Sequence, residues 1–325
     1  MATTPQPTTS TWTRVLSEIQ SYTPPNFDLV QRNKLAAIHA ITGRPLVVYA
    51  TACTIPTKIV PNQMLMLDFS DKLAFESVTE RIQGNRIDII VHSPGGLAEA
   101  AESLVSQLRR RFTDIRFIIP NLAKSAATML AMSGNEILME HDAELGPIDP
   151  QMNTIFGTHP AESIIEQFDE ASADIMGDQR KVAIWGPILA NLAPSLLVEC
   201  RHAIELSKTL VTNWLRTYMF AGDANADSKS NEIASFLSNH AYFKSHARRV
   251  TFDDLHRLGV KVTDLTLNAS LSNAVREAYC AVDITLSNTM TVRMTANYLG
   301  DVVVRAFSQG PVLNLSRPPQ RANMP

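Results

Sequence analysis

Residues 87–96 read IDIIVHSPGG, residues 115–128 read IRFIIPNLAKSAAT, and residues 145–151 read LGPIDPQ. The first two runs begin with aliphatic residues typical of a buried strand and end in small or turn-forming residues. Between them, residues 98–111 have the apolar spacing of a helix and end in three arginines, which complement the helix dipole. Strand, helix and strand in this order indicate right-handed βαβ units and a mostly parallel sheet.

The same patterns extend outward in both directions along the chain. Helical spacing predicts helices at about residues 12–19, 28–41, 71–82, 125–133, 161–176, 187–220, 231–237, 252–258 and 270–293. Short apolar runs predict further strands at residues 46–50, 137–139 and 260–262. The fold class is therefore α/β with a largely helical second half.

Composition predicts the domain organisation. We expect a flexible Thr/Pro-rich tail at residues 1–11, an α/β domain at 12–268 with a helical insertion at about 160–240, a C-terminal helical extension at 269–315, and a disordered Pro-rich tail at 316–325.

Charge and hydropathy exclude several classes of protein. The net charge of −3 comes from interspersed residues of both signs, so a nucleic-acid partner is not expected. No window reaches the roughly 18 uninterrupted apolar residues of a membrane span, so no membrane anchor is expected. Three distant cysteines in apolar surroundings indicate buried thiols of a reducing compartment, which predicts a cytoplasmic protein.

The turn Ser93-Pro94-Gly95-Gly96 follows a strand. Consecutive glycines allow neighbouring backbone N–H groups to face one point, which is the geometry of an oxyanion hole. A plain tight turn is the alternative interpretation.

Ser125 follows the second strand and precedes a run of small residues with helical spacing. A hydroxyl at a helix start lies near unpaired N–H groups that stabilise an anion, so Ser125 is the candidate nucleophile. The alternative is an ordinary N-cap serine.

A nucleophilic serine needs a base and a group that orients the base. His246 lies in a polar segment before a predicted helix and is the candidate base, with His240 and His256 as weaker rivals. Asp149 stands between two prolines in a rigid loop and is the candidate acid, with Asp142 as the alternative.

Other kinds of site have weaker support. Lys124 adjoins Ser125, but adjacent residues at a helix start point in different directions, so a Ser-Lys dyad is disfavoured. No His/Cys/Asp/Glu cluster has metal-ligand spacing, and no glycine-rich phosphate loop of the usual form occurs. We expect neither a metal nor another cofactor.

The runs at residues 87–96, 123–128 and 145–151 resemble the serine dehydrogenase proteinase family, distant relatives of the Clp protease proteolytic subunit and signal peptide peptidase A. A weaker match continues at residues 246–262. The resemblance implies a Clp/crotonase-like fold of repeated ββα/βαβ units.

Carried over residue by residue, the resemblance implies that Ser125 is the nucleophile, Asp149 the orienting acid and His246 the base. The N–H groups of Gly96 and Ala126, with Gly95 beside them, would form the oxyanion hole.

Function is expected to follow the resemblance: a serine peptidase that acts on peptide or protein substrates and assembles as a homo-oligomer. Two positions depart from the family pattern, because Ala127 replaces a glycine and Lys124 a methionine. A non-catalytic Clp-like scaffold or interaction protein is therefore the second hypothesis. A crotonase-type acyl-CoA enzyme, which shares the oxyanion hole but needs no serine, is the third.

Overall fold

The aliphatic runs of the sequence form a seven-stranded mixed sheet in the computed structural model, which describes residues 9–307. Most of the predicted tail at 1–11 and all of the tail at 316–325 lie outside the described residues. Within residues 9–307, no helix combines the length and hydropathy that crossing a bilayer requires.

The described helices, in chain order, are α1 Thr11–Gln20, α2 Phe27–Thr42, α3 Asp71–Thr79, α4 Ala98–Arg111, α5 Ala126–Met132, α6 Ala161–Gly177, α7 Val182–Leu189, α8 Leu196–Trp214, α9 Ala226–Leu237, α10 His240–Phe243, α11 Phe252–Arg257 and α12 Ala269–Asn288. The strands are β1 Leu46–Thr51, β2 Arg86–His92, β3 Asp114–Ile119, β4 Leu122–Ala123, β5 Glu136–Met139, β6 Glu144–Leu145, β7 Gln151–Thr154, β8 Gly157–Pro160, β9 Val262–Asp264, β10 Thr291–Asn297 and β11 Val302–Ala306.

The main sheet has the strand order β11-β10-β1-β2-β3-β5-β9. Strands β1, β2, β3, β5 and β9 are parallel, whereas β10 and β11 pair antiparallel. The prediction of an α/β fold with repeated βαβ units and a largely helical second half is confirmed. In addition, β4 pairs with β6 and β7 with β8 in two small sheets.

Helices cover both faces of the sheet. Tyr49, Ile89 and Phe117 face a core built with α3, α4, α5, α8 and α9, and the alternate residues Val48 and Ile90 face a core built with α2 and α12. Both faces of these strands are buried, so they read as nearly continuous apolar runs rather than alternating ones.

Three sequence-based helix predictions were wrong in extent. The helix predicted at 231–237 begins earlier, at Ala226. The stretch 187–220 is interrupted, because α7 ends at Leu189 and α8 begins at Leu196. Pro194 lies in this break, where it lacks an N–H and restricts the residue before it.

The helix predicted to about Arg293 ends at Asn288, so the extension at 269–315 is not helical throughout. β10 instead pairs antiparallel with β1, from Val47 opposite Asn297 to Thr51 opposite Arg293. A long-range partner for the backbone thus overrides the local helical pattern. The division of the chain into domains stays a prediction.

A group of charges, of which Arg44 and Asp88 are buried, joins the amino ends of β2 and β3. Asp88 is fully buried and accepts hydrogen bonds from Arg44 Nε at 2.5 Å and Arg116 Nη2 at 2.7 Å. Arg44 also donates to both carboxylate oxygens of Asp114, at 2.6 and 3.0 Å. The pairing compensates for the cost of removing these charges from water.

Replacing Asp88 with alanine should destabilise the fold strongly, because the buried Arg44 guanidinium would lose one of its two carboxylates. We expect the free energy of unfolding to fall by about 3–5 kcal/mol in urea titrations followed by circular dichroism. The matched control is Asp227→Ala, which breaks an exposed pair with Arg216 and should change little. A loss no larger than the control's would contradict the prediction.

Candidate active site

The turn after β2 lies against the segment that carries Ser125. Gly95 has a φ of +101°, and a Cβ built on it would lie 2.5 Å from the Lys124 carbonyl oxygen and 2.7 Å from Ser125 Cβ. Only a residue without a side chain permits this approach. The glycine therefore brings the backbone of the turn next to Ser125.

Gly96 is held by the backbone of Leu67. Leu67 N–H donates to Gly95 O at 2.7 Å, and Leu97 N–H donates to Leu67 O at 3.0 Å. A Cβ on Gly96 would lie 2.1 Å from Leu67 O. This arrangement leaves the Gly96 N–H without a hydrogen-bond partner among residues 9–307, and the same is true of the Ala126 N–H.

Ser125 has an unusual backbone conformation, with φ at 51° and ψ at −122°. For a residue with a Cβ, such a conformation costs on the order of 1–3 kcal/mol and is typical of functional sites. Ser125 precedes α5 at the N-cap position, yet its side chain makes no capping bond. Its hydroxyl has no partner within the described part of the chain, so the N-cap alternative does not account for it.

The loop that contains Asp149 is held to the second half of the chain by backbone hydrogen bonds. Leu145 and Val250 exchange two bonds of 3.0 Å, and Ile148 N–H donates to Leu237 O at 2.9 Å. Asp149 itself is 3% exposed. The loop is thus held beside the residues that follow α9.

Thr128 connects this loop to the helix that follows Ser125. Its hydroxyl donates to Ala123 O at 2.7 Å and accepts from Gly146 N–H at 2.9 Å. One buried side chain therefore sets the spacing between α5 and the acidic loop, a role that the sequence analysis did not identify.

Asp149 contacts two imidazole rings. Its Oδ1 lies 2.7 Å from His246 Nδ1, and its Oδ2 lies 3.0 Å from His240 Nδ1. Gln151 Nε2 donates to the same Oδ2 at 3.1 Å, and the second ring nitrogen of His240 lies 3.1 Å from Ser163 Oγ. An ionised carboxylate only accepts hydrogen bonds, so Nδ1 carries the proton in both rings.

One short segment supplies both rings. Asn239 caps α10 by accepting from Tyr242 N–H, which makes His240 the first helical residue. Lys244, the residue that follows the helix, has a left-handed conformation with φ at 59°. This reversal turns the chain so that His246 also reaches Asp149.

Ser125 and His246 line one cavity of about 680 Å³. No hydrogen bond joins the Ser125 hydroxyl to the His246 ring; such bonds are often long before substrate is bound. The cavity is lined mainly by apolar side chains. Its lining includes Met66, Pro94, Gly96, Leu97, Ala126, Met129, Ile148, Met152, Leu206, Glu99, Glu199 and His202.

Lys124 is directed away from Ser125. Its ammonium lies 3.0 Å from Glu144 Oε1 and donates to Leu145 O at 3.0 Å. Burial lowers the pKa of Lys124, and the bond with Glu144 opposes that shift. The structure therefore contains no Ser-Lys dyad at this point.

Two of the rival candidates, Asp142 and His256, lie away from Ser125. Asp142 is exposed and lines a different cavity, beside Arg276. His256 is exposed and stacks on Phe252. His202 lines the Ser125 cavity but contacts no carboxylate among the described residues. Of the histidines that reach this cavity, only His246 is oriented by an acid.

Two other chemistries lack a site in the described chain. Cys53, Cys200 and Cys280 are free thiols, and burial raises the pKa of Cys280 to about 11, which disfavours a reactive thiolate. Residues 9–307 contain no group of three His, Cys, Asp or Glu side chains that could hold a metal ion.

Comparison with known proteins gave the following matches. Residues 63–269 match a family model described as ClpP-like SDH-type serine proteinase. Two uncharacterized proteins of Methanocaldococcus jannaschii are each 31% identical over 176 residues, which is 54% of this chain and 53% and 51% of theirs. The chain therefore spans about half the length of the curated relatives it matches. Among solved structures, a mutant of the 1510-N membrane-bound stomatin-specific protease is similar over 64% of this chain and 79% of that chain, with 14% identity and a TM-score of 0.39.

Proposed function

This chain belongs to the ClpP-like SDH-type serine proteinases, and on that premise we propose that it hydrolyses peptide bonds through an acyl-enzyme on Ser125. The observation that carries the proposal is the common cavity of Ser125 and His246, with His246 bonded to the buried Asp149 at 2.7 Å. A free hydroxyl, an oriented imidazole and unpaired N–H groups together meet the needs of acyl transfer.

In the first half of the reaction, a peptide carbonyl enters the cavity beside Ser125. Because Nδ1 of His246 donates to Asp149, its Nε2 is free to accept the Ser125 proton as the oxygen attacks the carbonyl carbon. The N–H groups of Gly96 and Ala126 stabilise the resulting oxyanion. His246 then protonates the departing amine, which leaves an ester on Ser125.

In the second half, water replaces the amine. His246 accepts a proton from the water as it attacks the ester, and then returns a proton to Ser125 Oγ as the acid product leaves. Asp149 stays ionised throughout and stabilises the imidazolium. We also propose that the protein acts on peptide or protein substrates and assembles as a homo-oligomer.

A fluorophosphonate probe tests the nucleophile directly, since it reacts preferentially with activated serines. We expect labelling of the folded protein, with the adduct mapped by mass spectrometry to the peptide that contains Ser125. Folded protein that resists the probe would favour the non-catalytic scaffold. Tight binding of CoA thioesters without labelling would favour an acyl-CoA enzyme.

Substitution of Gly96 tests the oxyanion hole. An alanine Cβ would lie 2.1 Å from Leu67 O, so the backbone of the turn must move and its N–H with it. We expect Gly96→Ala to lower kcat for a peptide substrate by about 100-fold or more.

Gly177→Ala is the matched control for this substitution, because nothing lies within 4 Å of an added Cβ there. Circular dichroism will show whether each variant is folded. A folded Gly96→Ala protein with the wild-type kcat would rule out the proposed oxyanion site.

A further inference from the structure

Asp149 binds two imidazoles, and the mechanism above uses one of them. His246 occupies Oδ1 and His240 occupies Oδ2, at 2.7 and 3.0 Å. The His240 side chain is 9% exposed and is not among the residues that line the Ser125 cavity. His240 therefore contacts Asp149 from the protein interior, outside the Ser125 cavity.

Ser163, in the first turn of α6, contacts the second nitrogen of the His240 ring. The ring donates from Nδ1 to the carboxylate, so in its neutral form Nε2 is an acceptor. Ser163 Oγ lies 3.1 Å from that nitrogen and donates to it. Hydrogen bonds thus run in one direction, from Ser163 to His240 to Asp149.

This chain of bonds has the order of a second serine triad, but its serine differs from Ser125. Ser163 belongs to the regular helix α6, whereas Ser125 lies against Gly95 and beside the unpaired N–H groups of Gly96 and Ala126. Among non-glycine residues of the described chain, only Ser125 and Lys244 have a positive φ. Ser163 therefore has the features of a supporting residue.

We propose that His240 is a positioning residue for the hydrolysis described above, an inference that rests on the proposed function. A carboxylate turns about its Cβ–Cγ bond, and a donor on each oxygen fixes the plane of the group. His240 holds Oδ2 so that Oδ1 meets the Nδ1–H of His246. Asp149 sets the tautomer of His240, and Ser163 adds a hydrogen bond to Nε2 that holds the ring in place.

The test compares two substitutions at His240. In His240→Leu the Nδ1 donor is lost at similar volume and only Gln151 still donates to Oδ2, so we expect kcat for a peptide substrate to fall by about 10- to 100-fold with KM unchanged. In His240→Asn the side-chain amide nitrogen takes the position of Nδ1, so most of the lost kcat should return. A purely structural role does not predict rescue by asparagine.

Proton NMR gives an independent readout of the same contact. Protons on ring nitrogens bonded to a carboxylate resonate far downfield, and the wild type should show two, from His240 and His246. His240→Leu should remove one signal and shift the other. Loss of one signal without any shift of the other would show that His240 does not act on His246.

Two further variants serve as a control and as a substitute for His240→Leu. His256→Leu, a histidine on an exposed helix, should leave kcat unchanged. If His240→Leu does not fold, Ser163→Ala replaces it, with an expected fall in kcat of about 3- to 10-fold. Equal losses in the Leu and Asn variants, a change in KM alone, or a fluorophosphonate adduct on Ser163 would each overturn the proposal.

Failure of the proposed function is a separate result. If the wild type neither hydrolyses peptides nor reacts with the probe, the peptidase assignment is wrong. If the wild type is active and a folded His240→Leu protein matches it, only the positioning role is wrong.

Discussion

Replacing Ser125 with alanine should lower kcat/KM for peptide hydrolysis by about 10⁴-fold or more. Without the hydroxyl no acyl-enzyme forms, and only binding and the oxyanion N–H groups remain to accelerate attack by water. Hydrolysis of a fluorogenic peptide by purified protein, with the active-site concentration set by probe titration of the wild type, measures the loss.

The same substitution should leave the fold intact. The Ser125 hydroxyl makes no hydrogen bond in the described chain, so its removal breaks none. Ser77→Ala is the matched control, because Ser77 is an exposed helical serine that bonds only to its own helix at Leu73 O. If Ser125→Ala retains the wild-type rate, Ser125 is not the nucleophile and the mechanism proposed above is wrong.

Replacing Asp149 with asparagine should lower kcat by about 10⁴-fold. The carboxylate accepts Nδ1–H from two rings and an N–H from Gln151. An amide presents one oxygen and one NH₂ group, so one of the two rings must face a donor. The tautomer of His246 that can accept the Ser125 proton then loses its support.

Stability should change less than activity in Asp149→Asn, since most of the loop's hydrogen bonds are made by its backbone. We expect a loss of about 1–3 kcal/mol for the mismatched buried polar groups, measured by urea unfolding. Asp142→Asn is the control, because that acid is exposed and lines another cavity. Equal activity of the two variants would contradict the assigned role of Asp149.

Much of the fold could be predicted from the sequence, because its signals are local. The strand at 46–51 is a run of residues buried on both faces. The helix at 27–42 ends where Gly43 takes a left-handed conformation, as its position predicts. Such features depend on backbone propensity and on apolar spacing within a few residues.

The C-terminal strand could not be predicted in the same way. Residues 291–297 follow a helix of 20 residues without a strong break in the apolar pattern. They form a strand because β1 lies free to pair on that edge of the sheet, and residues nearly 250 positions apart then exchange hydrogen bonds. Nothing in the local sequence specifies that partner.

The candidate site likewise contains features that depend on local sequence and features that depend on long-range packing. The sequence by itself determined the glycine turn, the position of Ser125 before a helix and the proline-bounded Asp149, because glycine permits backbone conformations closed to other residues and proline restricts the backbone wherever it occurs. Only the tertiary structure decided that His246 and His240, 97 and 91 residues beyond Asp149, both reach its carboxylate. Their approach depends on how α9, α10 and the acidic loop pack together, and packing sums many weak contacts between distant parts of the chain.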